Sequence, residues 1–201
     1  MRSVKTHDRR IWGSFFIPMS GDRRKRRPRG YWYYSKFIDD FSCYTFIYLQ
    51  KMKGEPFQHY KECEAWFKTQ KGVPIGKLHS DHGGEYLSDE FTQYLVSKGP
   101  ECSLTTHDTP EKNGVAERMN YTLVDLSRAQ MAGTDFLPLL WGHSLLYSAW
   151  LHNRLLSAVL ESRGMSPYEA MHRRKPDLSR AHRRGSRVFA QRAAGRGAKL
   201  G

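Results

Sequence analysis

The chain has 201 residues, 33 Lys/Arg against 20 Asp/Glu for a net charge of +13, and three cysteines, Cys43, Cys63 and Cys102. That length suits one domain with a full hydrophobic core, while three scattered cysteines with no CxxC pair encode neither a disulfide framework nor a cysteine zinc site. No apolar run approaches the about 18 residues of a membrane helix, and the opening MRSVKTHDRRIWGS lacks a signal peptide's apolar stretch, so the expectation is an intracellular protein with no membrane partner.

In chain order, YWYYSKFIDDF and CYTFIYLQKM are aromatic and β-branched and are split by a polar step at 39–42, which predicts two antiparallel strands joined tightly. Over 55–70, Phe57, Tyr60, Cys63, Ala65, Trp66 and Phe67 fall near helical spacing and predict an amphipathic helix. A short strand over 75–79 follows, then a helix to Ser97 with Ser88 as its cap, stopped near Gly99. A brief strand at 102–105 leads into the loop THDTPEKNG. Helices are then predicted over 115–131, with Leu123, Leu126 and Ala129 facing inward, and over 137–155. Past Arg163, SPYEAMH reads as a short helix with Ser166 as cap, Pro167 in the first position and Glu169 closing a capping box. Strands first, then helices alternating with strands, predict an α/β layered domain with a mixed sheet.

The charge is uneven along the chain. Residues 1–36 hold 11 bases and 2 acids, residues 163–201 again 11 and 2, and the stretch between them carries a net −5. Basic ends attract a polyanion, since Lys and Arg neutralising phosphates supply most non-specific nucleic-acid affinity. The terminal QRAAGRGAKLG also has the composition of an unfolded tail. The expected organisation is a core over 1–160, a C-terminal extension with a short helix over 161–190, and a disordered basic tail over 191–201.

Two acids stand where strands and helices end or begin. Asp81 closes the strand IGKLHS, and Glu117 lies early in the helix after TPEKNG, with 35 residues between them. Carboxylates are the ligands that Mg²⁺ and Mn²⁺ require. The same two residue types at such positions also serve as a turn acid and as a first-turn acid favoured by the helix dipole.

The flanking sequence adds a resemblance. FIDDFSCYTFIYLQKMK, SDHGGEYLSDEF, TPEKNGVAERMNYTL, LLWGHSLLYSAWLHNRL and SPYEAMHRRKPDLS, in that order over roughly residues 31–189, resemble the integrase core of copia-type retrotransposons. The pairing of SDxGGEY with TPxxNGVAER is highly specific. The resemblance implies a ribonuclease-H-like mixed sheet of about five strands flanked by helices. It further implies a two-metal Mg²⁺ or Mn²⁺ site with Asp81 and Glu117 as the second and third acids of an Asp, Asp, Glu triad. The implied activity is trimming of element 3′ ends and joining to target DNA in a nuclear, homo-oligomeric assembly. DNA is the implied partner, with RNA a further candidate.

The first acid is where this sequence departs from the pattern. The family reads His-x-Asp, an apolar residue, one more residue and then Gly-Pro; here THDRRIWGS puts Arg10 in the slot when aligned on Trp12-Gly13, or Arg9 when aligned on His7. Asp8 is two residues away, about 6.6 Å along a strand, and carboxylate–metal bonds of about 2 Å leave no room for that offset. Asp8 therefore serves only if a bulge or register shift returns it. Asp39 and Asp40 match an acidic pair that the family does not assign to metal and read as turn acids.

His82 reads as a loop residue, and His143 and His152 as satisfied packing residues. Beside Glu117, Arg118 and Asn113 are candidate nucleic-acid contacts, and Tyr121 replaces the family's Arg one turn on. Arg23, Arg24, Lys25, Arg26 and Arg27 of GDRRKRRPRG are further candidates, either as a binding hairpin extension or as decayed sequence. The family's other modules are not visible, so the chain reads as a fragment. Two functions compete: an active polynucleotidyl transferase, and an inactive remnant that binds nucleic acid through its basic ends.

Overall fold

The structure, a computed structural model, describes residues 10–18, 31–52, 55–80, 88–98, 103–106, 110–132, 140–157, 160, 164–179 and 181–182. Their elements are β1 (Arg10–Pro18), β2 (Tyr33–Asp39), β3 (Thr45–Gln50), α1 (Pro56–Lys71), β4 (Lys77–Ser80), α2 (Asp89–Ser97), β5 (Ser103–Thr106), α3 (Pro110–Ala132), α4 (Trp141–Arg154) and α5 (Pro167–His172). The strands form one mixed sheet in the order β3-β2-β1-β4-β5. β1, β2 and β3 are antiparallel neighbours, and β4 and β5 run parallel to β1. This is the five-stranded α/β sheet expected from the sequence, and a register shift in β1 between Ser14 and Ile17 interrupts its pairing with β2.

Period-two alternation along β2 divides the molecule. Phe37 points into a cluster with Ile11, Tyr60, Cys63, Phe67 and Leu78, covered by α1 and α2. Tyr34 points the other way, against Leu123 and Leu145 of α3 and α4. The helix α4 lies close on β3: a Cβ at Gly142 would stand 3.1 Å from Leu49 Cδ1, so the absent side chain permits the approach. At its other end Asn153 fastens the helix to the sheet, accepting from the Thr45 amide at 2.8 Å and donating to the Thr45 carbonyl at 2.8 Å.

Local signals were read correctly at several ends. Ser88 accepts from the Phe91 amide and caps α2. Ser166 and Glu169 form both halves of the capping box on α5, with Pro167 in its first turn. α5 packs back onto the core through Met171, whose carbonyl takes a 2.5 Å bond from Lys71 Nζ. The Arg154 guanidinium sits 4.1 Å from the Trp150 ring and 4.9 Å from the Tyr168 ring, joining α4 to α5.

α3 departs from expectation in two ways. It begins at Pro110, five residues before the expected start, because proline suits a first helical turn. Among its described side chains the buried positions are Ala116, Leu123 and Ser127, whereas Leu126 is half-buried and Ala129 is exposed. The physical reason is a polar interface with α4. Ser144 Oγ donates to the Ser127 carbonyl at 3.2 Å, and Gln130 Nε2 donates to Ser148 Oγ at 3.0 Å. An apolar count alone cannot see that stripe.

Candidate functional site

The sheet's carboxyl edge sets the geometry. β4 and β5 end side by side, with Ser80 opposite Thr106, and Ser80 also faces Gly13 of β1. β4 leads directly to position 81, and β5 leads through three residues into α3, which carries Glu117 and packs on β1. Crevices outside the carboxyl ends of parallel strands are the general place for sites in open α/β sheets.

Of the residues singled out in the sequence, Glu117 is described: it is exposed on α3, beside the buried Ala116. Arg118 is exposed as well, and its Nε donates to the Gly114 carbonyl at 2.9 Å, turning the side chain back along the helix. Tyr121, one turn past Glu117, is 69 % exposed. Asn113 falls in the first turn of α3, but its side chain lies outside the described residues, as do Asp8, Asp81, His82, Cys102 and Arg23, Arg24, Lys25, Arg26 and Arg27. Among the described residues, no three of His, Cys, Asp and Glu group as metal ligands. The exposed carboxylate of Glu117 on a rigid helix suits the oxygen preference of a hard divalent cation.

Arg10 is exposed at the start of β1 and stands opposite Lys77. That is three rows, about 10 Å, back from the Ser80 row. Asp39 is buried, and its Oδ2 accepts from the Ser42 amide at 3.1 Å and the Ser42 hydroxyl at 2.6 Å. Two residues from Phe37, it belongs to the α1 face. Burial pushes the Cys63 thiol up, and the charge of Asp39 adds to that rise. Asp39 is thus a turn acid on the face away from α3.

His152 is a packing residue kept below the ordinary imidazole range by burial, and its Nε2 has no hydrogen-bond partner among the described residues. The sequence reading missed Lys36. It is fully buried on the α3 side of β2 and donates to the Ala116 carbonyl at 2.5 Å. Alternation in YYSKFID sets this lysine on one face with Tyr34 and Ile38, which was the available signal.

A mixed five-stranded sheet with these helices is the ribonuclease-H-like fold of retroviral integrase catalytic cores. The HTLV-2 integrase catalytic core domain, solved in complex with magnesium in a trimeric form, superposes with a TM-score of 0.58 at 19% identity, covering 85% of this chain and 100% of that one. A simian T-cell lymphotropic virus intasome, solved with the PP2A regulatory subunit B56 gamma, gives 0.59 at 18% identity over 96% of this chain and 61% of that one.

The sequence relatives are retrotransposon polyproteins. The chain is 37% identical over 113 residues to the retrovirus-related Pol polyprotein of the Nicotiana tabacum transposon TNT 1-94, a match that covers 56% of this chain. It is 27% identical over 119 residues to the Ty1-DR6 Gag-Pol polyprotein of Saccharomyces cerevisiae, covering 58% of this chain. The matches span 8% of the tobacco polyprotein and 7% of the yeast one. No family model matches the chain.

Proposed function

We propose that the chain is the catalytic core of a copia-type retrotransposon integrase, acting in metal-dependent polynucleotidyl transfer: 3′-end processing of element DNA and strand transfer into target DNA. The observation that carries this reading is the pairing of β4 and β5 at their carboxyl ends, one leading to position 81 and the other into the helix of Glu117. Asp81 and Glu117 are the proposed ligands for Mg²⁺ or Mn²⁺, with Asp8 the third candidate. When bound, such cations supply charge stabilisation at a scissile phosphate and activation of the attacking hydroxyl. Glu117 holds its oxygen donors on a helix that packs on β1. Arg118, Asn113 and the bases Arg23, Arg24, Lys25, Arg26 and Arg27 are the proposed DNA contacts. A homo-oligomer working in the nucleus completes the reading.

The test is Mn²⁺-dependent strand transfer, or its reversal on branched DNA. Glu117→Gln and Asp81→Asn should each abolish it, and activity unchanged in Asp81→Asn would refute the site. A second reading, a core that keeps the fold and binds nucleic acid without transferase activity, draws support from Arg10. That residue aligns with the family's first acid and supplies no carboxylate. It requires DNA retention that weakens steeply with added salt, stays the same in Asp81→Asn, and comes with no transfer.

A further inference from the structure

On the α3 side of β2, Tyr34 and Lys36 are two residues apart and reach the same helix. The Tyr34 hydroxyl donates to Asn120 Oδ1, and the Lys36 ammonium donates to the Ala116 carbonyl at 2.5 Å. Ala116 and Asn120 are successive contacts one helical turn apart, and Glu117 lies between them in the chain. Both strand residues are buried, Lys36 at 0% and Tyr34 at 2% exposure. A buried ammonium is costly unless it is strongly hydrogen-bonded. A shift of α3 by even one residue's rise, about 1.5 Å, would strain that bond, so the contact tolerates little sliding or rotation of the helix.

We propose that Lys36, with Tyr34 beside it, is a positioning residue for Glu117. Together they hold the 116–120 turn of α3 at a fixed height and rotation over β2, and so fix where the Glu117 carboxylate stands for a divalent cation. This role rests on the carboxylate site described under Proposed function. It makes a sign prediction that a bystander charge would not. A nearby ammonium repels a divalent cation, so its removal should tighten metal binding if charge is all it contributes. Loss of positioning weakens binding instead.

The experiment uses the full chain, with Mn²⁺ affinity read from the paramagnetic resonance signal of the free ion and helix order read from amide hydrogen exchange. Lys36→Met should weaken Mn²⁺ about 10-fold or more, the usual effect of losing a support behind a metal ligand. Lys36→Arg should recover part of that loss. Exchange should speed up at the amides of 117–121 and stay unchanged at 127–131. Tyr34→Phe removes one hydroxyl, should fold, and should weaken Mn²⁺ by a smaller factor; it decides the matter if Lys36→Met does not fold. Mn²⁺ affinity unchanged or tighter in both variants overturns the positioning role while leaving the site standing. No Mn²⁺ binding by the unaltered chain, or equal binding by Glu117→Gln, overturns the site and this role with it.

Discussion

Leu123 is completely buried between β2 and α4, in contact with Tyr34 and Leu145. Leu123→Ala should lower unfolding stability by about 2–5 kcal/mol, the range for a leucine cavity that cannot collapse, read from the urea midpoint. Arg10 invites the opposite kind of substitution. Arg10→Asp restores the expected acid by alignment, yet its backbone stands at the Lys77 row rather than the Ser80 row. It should therefore produce no gain in Mn²⁺-dependent transfer, and a gain would show that β1 can shift its register. The end of β4 just before position 81 and the place of Glu117 on α3 were legible because short motifs set them at a strand end and near a helix start. The burial of Lys36 was harder to read, since a lysine in a strand is expected at the surface, and its tie to the Ala116 carbonyl, 80 residues away, is invisible to a local window.

Among the elements, α3 carries the most informative test. Gly114 lies inside the helix, and a Cβ there meets nothing within 4 Å. Gly114→Ala should stabilise the protein by about 0.5–1 kcal/mol, since glycine costs a helix interior that much in entropy; thermal unfolding would record the rise. On α5, Ser166→Ala removes the oxygen that accepts from the Glu169 amide. The expected loss is about 1 kcal/mol, with exchange quickened in α5 and unchanged in α3. Caps of this kind are legible because donor and acceptor sit three residues apart in the sequence. The rotation of α3 was not, because Ser127 and Gln130 meet partners on α4 that no local window contains.

At the scale of the whole molecule, three histidines among the described residues lower stability in acid. Burial holds His59, His152 and His172 below the ordinary imidazole value, and the charges of Lys71, Arg174 and Arg154 add to the effect at His172. The unfolded chain therefore binds protons that the folded one refuses. Their contribution to stability is complete above pH 6.5, the ordinary value, and declines as pH falls from there toward the folded values. Melting temperature should drop from pH 7.5 to 5.5, and a flat profile would contradict these burials.

The bond between Asn153 and Thr45 has a consequence at the same scale. β3 is an edge strand, and open edges invite a strand from another copy. Both backbone groups of Thr45 are taken by one carboxamide, which mimics the pairing unit of an adjacent strand. The helix thereby posts a decoy on the rim, so that a neighbouring chain seeking to extend the sheet finds that rung occupied. Asn153→Ala should vacate it, and scattering that grows with protein concentration would reveal the edge recruiting its own kind.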